Sequence, residues 1–129
     1  MNNRLRIAIA DDDALNRDFL RRMLLRMGHE VVCSAEDGKE LADCCLQLVP
    51  DLVISDVNMP RMDGIELVKL IKEDQKLRHL PVMIVSYKDR EEDRKRGLDA
   101  GADYYLTKGS FYDDTLQKAV AKLIGTAKV

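Results

Sequence analysis

Five short apolar runs, each followed by a stretch of different periodicity, constrain this chain more than any other feature. The runs are Leu5 to Ala10, Val31 to Cys33, Leu52 to Ile54, Val82 to Val85, and Tyr104 to Leu106. They are three to six residues long, rich in Ile and Val, and lack strict alternation. That pattern suits strands buried on both faces. The stretches between them repeat every three or four residues. Leu15, Phe19, Met23 and Met27 form one stripe with Leu20 and Leu24 beside it. Leu41, Cys44, Cys45 and Leu48 form a second, Ile65, Val68 and Ile71 a third, and Leu116, Ala119, Val120, Leu123 and Ile124 another. Each reads as an amphipathic helix with one buried face. The fourth stretch, about Arg90 to Ala100, is mostly charged and belongs on the surface. Gly28 stands where a left-handed helix cap fits, and Pro50 and Pro81 end the segments before two of the strands.

Five βα units imply an α/β fold: one five-stranded parallel sheet with helices on both faces. Right-handed crossovers make 2-1-3-4-5 the economical strand order, a flavodoxin-like arrangement. The 129 residues suit a single domain spanning 1–129, with its core at about 4–125. A formal charge of −2 supplies no field for nucleic acid or an anionic membrane. No apolar run approaches the ~20 residues of a spanning helix, and none follows the N-terminus as a secretory signal. Three cysteines, an odd number without metal-ligand spacing, argue against a disulfide framework and for a cytoplasmic setting. Cys44 and Cys45 are expected to be core packing. His29 and His79 fall in turns and receive no role.

In open α/β sheets, ligands bind beyond the carboxyl ends of the strands, near the switch point. The residues that follow the apolar runs are therefore the candidates. Asp11, Asp12 and Asp13 follow the first run, Asp56 the third, Ser86 the fourth, and Lys108 the fifth. Crowded carboxylates raise each other's pKa, and a divalent cation removes that penalty. An all-oxygen donor set favours Mg²⁺ or Mn²⁺ over zinc. Asp12 and Asp56 are the expected direct ligands, Asp11 binds directly or through water, and the backbone carbonyl of Asn58 adds an oxygen. Asp13 reads as a helix N-cap instead. Taken alone, Lys108 is most simply a solvated lysine and Ser86 a turn hydroxyl.

Carboxylate, metal, ammonium and hydroxyl together suit phosphoryl transfer to a carboxylate oxygen. Asp56 would attack phosphorus in line. The metal and Lys108 would neutralise the equatorial oxygens, and Ser86 would bond one of them afterwards. An ionised carboxylate needs no general base.

These residues resemble the response regulator receiver domains of bacterial two-component signalling, the CheY-like family. The resemblance runs from about Arg4 to Gly125 and rests on Ile9-Ala10-Asp11-Asp12-Asp13, Ser55 to Gly64, Val85-Ser86 and Leu106-Thr107-Lys108. It implies that Asp56 accepts phosphate from a histidine kinase or phosphotransfer protein. Asp11 and Asp12 match the metal-binding pair, Ser86 the switch hydroxyl, Lys108 the family lysine, and Tyr105 the aromatic that follows the hydroxyl. Pro60 and Gly64 match the turn after the phosphoacceptor. Asn58 and Lys88 match positions that influence water access.

One departure stands out. Most receivers carry Lys-Pro with a cis peptide, whereas this chain has Lys108-Gly109. A non-proline cis bond costs ~3–4 kcal/mol, which leaves this peptide's isomer open. The run 108–111 resembles receivers associated with CheA-type hybrid kinases. The resemblance also implies a population shift. Phosphate draws Ser86 and Lys108 inward, Tyr105 turns from exposed to buried, and the α4-β5-α5 face changes for an effector or a second copy. Two alternatives stay open. A HAD-like aspartate-nucleophile phosphatase would want an acid at position 58, and a degenerate receiver would bind its partner without phosphate.

Overall fold

A computed structural model describes residues 4–88, 90–108 and 115–123. Strands β1 (Arg6–Ala10), β2 (Glu30–Ala35), β3 (Leu52–Ser55), β4 (Val82–Ser86) and β5 (Tyr104–Thr107) form one parallel sheet. Its order is β2-β1-β3-β4-β5, as the sequence predicts. The helices are α1 (Ala14–Arg26), α2 (Gly38–Leu48), α3 (Gly64–Glu73), α4 (Glu91–Ala100) and α5 (Thr115–Leu123). The Lys108–Gly109 peptide and Ile124 lie outside the described residues.

Why the apolar runs are unbroken becomes clear from the two cores. Side chains alternate across a strand, so each strand feeds both faces of the sheet. Ile7, Ile9, Leu52, Ile54, Met83 and Val85 pack on one face with Leu20 and Leu24 of α1 and Leu116 and Val120 of α5. Ala8, Ala10, Val53, Val82 and Ile84 pack on the other with Leu41, Leu67, Val68 and Ile71. At ~25 cal/mol per Å² of apolar area, two such cores supply most of the drive to fold. Asp63 and Glu66 form a reciprocal capping box that starts α3. The charged α4 buries only Gly97, which agrees with its placement on the surface.

The structure corrects three expectations. Leu15 does not join the α1 stripe: it is 82% exposed, because a four-residue step drifts about 40° around a helix and leaves Leu15 on the opposite side of α1 from the buried Leu20 and Leu24. The second strand is not buried on both faces. As an edge strand its first three residues are half-buried, and it runs two residues further than Cys33. The cysteines are not all free. Cys33 of β2 and Cys44 of α2 form a disulfide across a Cα separation of 6.5 Å. An odd count says nothing about pairing between two elements that pack together. Cys44 still packs at the edge of the core, and Cys45 is the buried free thiol.

Candidate functional site

Sheet register brings the candidate residues together. Ala10 pairs with Ser55, so the next residues, Asp11 and Asp56, leave adjacent strands at the same level. The Asp56 amide also donates to the Ala10 carbonyl at 3.0 Å. Ser86 pairs with Thr107, which sets Lys108 just past the end of β5. Gly64 permits the return of the chain at the start of α3. A Cβ there would overlap the Asp56 carbonyl, so only glycine fits this close approach.

Carboxylate oxygens of Asp11, Asp12 and Asp56 lie within 4.8 Å of one another. Asp11 and Asp56 are buried and Asp12 is exposed. The Lys108 ammonium sits 2.6 Å from Asp11 Oδ2 and 3.1 Å from Asp56 Oδ2. Lys108 is itself buried. Asp56 Oδ1 accepts from the Val57 amide at 2.7 Å, and Asp11 Oδ1 from the Asp13 amide at 2.9 Å. Burial pushes the Asp56 carboxyl above its ordinary range, Lys108 pulls it back, and Asp11 pushes it up again. Burial also opposes the charge on Lys108, but bonding to Asp11 and the charge of Asp56 outweigh it and hold the ammonium above its ordinary value. Two buried carboxylates thus share one buried cation, with the Asp12 carboxylate close by. The excess negative charge fits a divalent ion bound by oxygens.

A pocket opens over these groups, lined by Asp12, Asp13, Asn16, Asp56, Asn58, Ser86, Tyr87 and Lys108. Asp13 lies on its rim while its carboxylate accepts from the Leu15 and Asn16 amides, the N-cap role expected of it. Ser86 is buried, and its hydroxyl accepts from the Lys88 amide at 3.1 Å. That is the turn bond a strand-end serine makes by itself. Tyr105 is already buried, not in the exposed position from which the resemblance has it turn, and its hydroxyl donates to the Lys88 carbonyl at 2.8 Å. Burial leads in raising its pKa. Gly97 makes room for the ring, since a Cβ there would lie 2.9 Å from Tyr105 Cδ2.

Three participants were not anticipated. Arg17 donates to the Asp11 carbonyl at 2.7 Å and steadies the acidic loop from α1. Asn16 and Tyr87 line the pocket. Tyr87 follows the fourth apolar run only one residue after Ser86, and Asn16 lies one helical turn beyond Asp12. Both positions were readable from spacing alone.

Residues 7–121 match the family model of the response regulator receiver domain. The chain belongs to that family. Among curated relatives, this receiver is 38% identical over 119 residues to the response regulator MprA of Mycolicibacterium vanbaalenii, covering 92% of this chain and 50% of that protein. It is 37% identical over 120 residues to the gliding motility regulatory protein of Myxococcus xanthus, covering 93% of this chain and 15% of the relative. The receiver thus spans half or less of the length of these two relatives. Among solved structures it is similar to the chemotaxis response regulator CheY4 of Vibrio cholerae, with 28% identity, a TM-score of 0.79, and coverage of 90% and 98% of the two chains. Receiver domains are signalling modules of two-component systems, and the acidic cluster of this receiver fits a phosphorylation site. Among the described residues no helix is long and apolar enough to cross a membrane.

Proposed function

We propose that this receiver accepts a phosphoryl group on Asp56 from a histidine kinase or a phosphotransfer protein. The observation that carries the reading is the convergence of three carboxylates within 4.8 Å beside the buried Lys108 ammonium. A carboxylate oxygen of Asp56 attacks phosphorus, the bond from phosphorus to the donor breaks, and the donor leaves with the electron pair. Mg²⁺ or Mn²⁺ would be held by Asp12 and Asp56, with Asp11 and the Asn58 backbone carbonyl completing the set. When bound, the ion supplies positive charge against the phosphoryl oxygens. Lys108 supplies a compact charge on the opposite side.

Ser86 and Tyr105 carry the response. The Ser86 hydroxyl exchanges its bond from the Lys88 amide for one to a phosphoryl oxygen. That shift pulls on residues 86–88, whose carbonyl at Lys88 holds the Tyr105 hydroxyl. Phosphate biases the loop only by its differential affinity for the two arrangements. The readout surface is the α4-β5-α5 face, where an effector or a second copy docks. Asn58 and Lys88 would set water access and hence the lifetime of the phosphate.

Incubation with acetyl phosphate and Mg²⁺ tests the reading. The intact mass gains one phosphoryl group, the gain requires the metal, and Asp56→Asn abolishes it. A gain that survives Asp56→Asn overturns the assignment.

A further inference from the structure

Tyr87 is anomalous for a strand-end position. The residue is 68% exposed, yet its side chain is tied down at both ends. Its ring centroid lies 4.8 Å from Lys108 Nζ, within cation–π range. Its hydroxyl donates to Asn16 Oδ1 at 3.4 Å, on the facing helix α1. The side chain therefore spans from the end of β4 to α1 at the pocket that holds Asp56.

The Lys108 side chain offers three ammonium hydrogens and no acceptor. Asp11 and Asp56 take two of them. The aromatic face is the third neighbour, so a phosphoryl oxygen that approaches Lys108 competes with Tyr87. Asn16 carries a matching signature. Among the described residues, its Nδ2 is the buried side-chain nitrogen left without a hydrogen-bond partner. Its carboxamide oxygen serves Tyr87, and its buried nitrogen is left over. Buried donors are rarely left so, because an unmade bond costs more than a made one gains.

Resting on the phosphorylation of Asp56 proposed above, we propose that Tyr87 is a gate over that residue, latched by Asn16. The closed ring covers one side of the Lys108 ammonium and narrows the mouth of the pocket. Donors, and later the water that hydrolyses the acyl phosphate, reach phosphorus more readily when the ring swings out. Opening frees the Asn16 carboxamide from the Tyr87 hydroxyl. In hydrolysis the water oxygen bonds phosphorus, the bond to the Asp56 oxygen breaks, and the carboxylate is regenerated. The gate changes access to both steps and the chemistry of neither. Tyr87 is thus a positioning and specificity residue, one that favours donors able to displace an aromatic ring.

The test compares wild type, Tyr87→Ala, Tyr87→Phe and Asn16→Ala with three readouts: phosphorylation by acetyl phosphate, phosphorylation by the bulkier benzoyl phosphate, and loss of the phosphoryl group after donor removal. Tyr87→Ala should raise all three rates, by roughly fivefold or more, with the largest gain for benzoyl phosphate. Tyr87→Phe keeps the ring over Lys108 and loses the latch, so it and Asn16→Ala should match each other with a smaller gain. A variant that folds poorly would slow these reactions, so an acceleration is not a folding effect. If Tyr87→Ala keeps wild-type rates or slows them, while wild type is phosphorylated and Asp56→Asn is not, the gate is overturned and the Asp56 reading stands. No uptake by wild type overturns both.

Discussion

Lys108 Nζ lies 2.6 Å from Asp11 Oδ2, although their strands, β5 and β1, are separated in the sheet by β4 and β3. One side chain thus ties the far ends of three strand tips together, with Asp56 midway at 3.1 Å. All three groups are buried, so removing the cation leaves two buried carboxylates with one backbone amide each and no countercharge. Lys108→Ala should cost about 3–5 kcal/mol of stability in metal-free buffer. Adding Asp56→Asn should recover part of that loss, since only one carboxylate is then unpaired. Denaturant titration measures both. A loss below about 1 kcal/mol would contradict the pairing.

Gly97 carries the contact between α4 and Tyr105. On an exposed helix Gly→Ala gains roughly 1 kcal/mol from backbone entropy alone. Here the added methyl meets the Tyr105 ring at 2.9 Å and Ile84 Cδ1 at 3.1 Å. Gly97→Ala should lower stability instead and shift the Tyr105 ring resonances in an NMR spectrum. A stabilised variant with unmoved ring signals would contradict the packing.

The disulfide makes a counting prediction. Unfolded without reductant, the protein should titrate one thiol, and with reductant three. In the native state even Cys45 should react slowly, because burial pushes its pKa up to about 12. Closing the loop between Cys33 and Cys44, 11 residues apart, should contribute about 2–3 kcal/mol. Three titratable thiols without reductant would remove the bridge.

His29 makes the fold pH-sensitive. Its Nδ1 accepts from the Leu5 amide at 3.2 Å, which requires a neutral ring. Burial holds its pKa below the ordinary value of 6.5. The unfolded chain therefore takes up the proton first. The stabilisation is complete above that ordinary value and is lost as pH falls through the folded pKa. Stability curves for wild type and His29→Gln should differ most near neutral pH and converge on acidification. Parallel curves would exclude a role for His29.

How far these relationships could be read in advance depends on their range. Strand order and both cores follow from unbroken apolar runs and the 3.6-residue period, because parallel strands coated on two faces have little other choice. The convergence of Asp11, Asp56 and Lys108 follows from the rule that sites gather at strand ends. Contacts made across the mouth of the pocket were not visible. Nothing in the local pattern ties Tyr87 to Asn16 or Cys33 to Cys44, since each pair meets only after the helices dock. Leu15 misled for a related reason. Its spacing fits a four-residue stripe, but that stripe drifts around α1 and leaves Leu15 away from the face that Leu20 and Leu24 bury. Tyr105 was placed at the strand end by its run, whereas its burial depends on a glycine in a helix that carries almost no apolar signal.

The most direct measurement identifies the side chain that holds the phosphoryl group. Borohydride reduces an aspartyl phosphate to homoserine, and peptide mass spectrometry then locates it. After treatment with acetyl phosphate and Mg²⁺, homoserine should appear at position 56 alone. Homoserine at 11 or 12, or none where the intact protein had gained phosphate, would contradict the account.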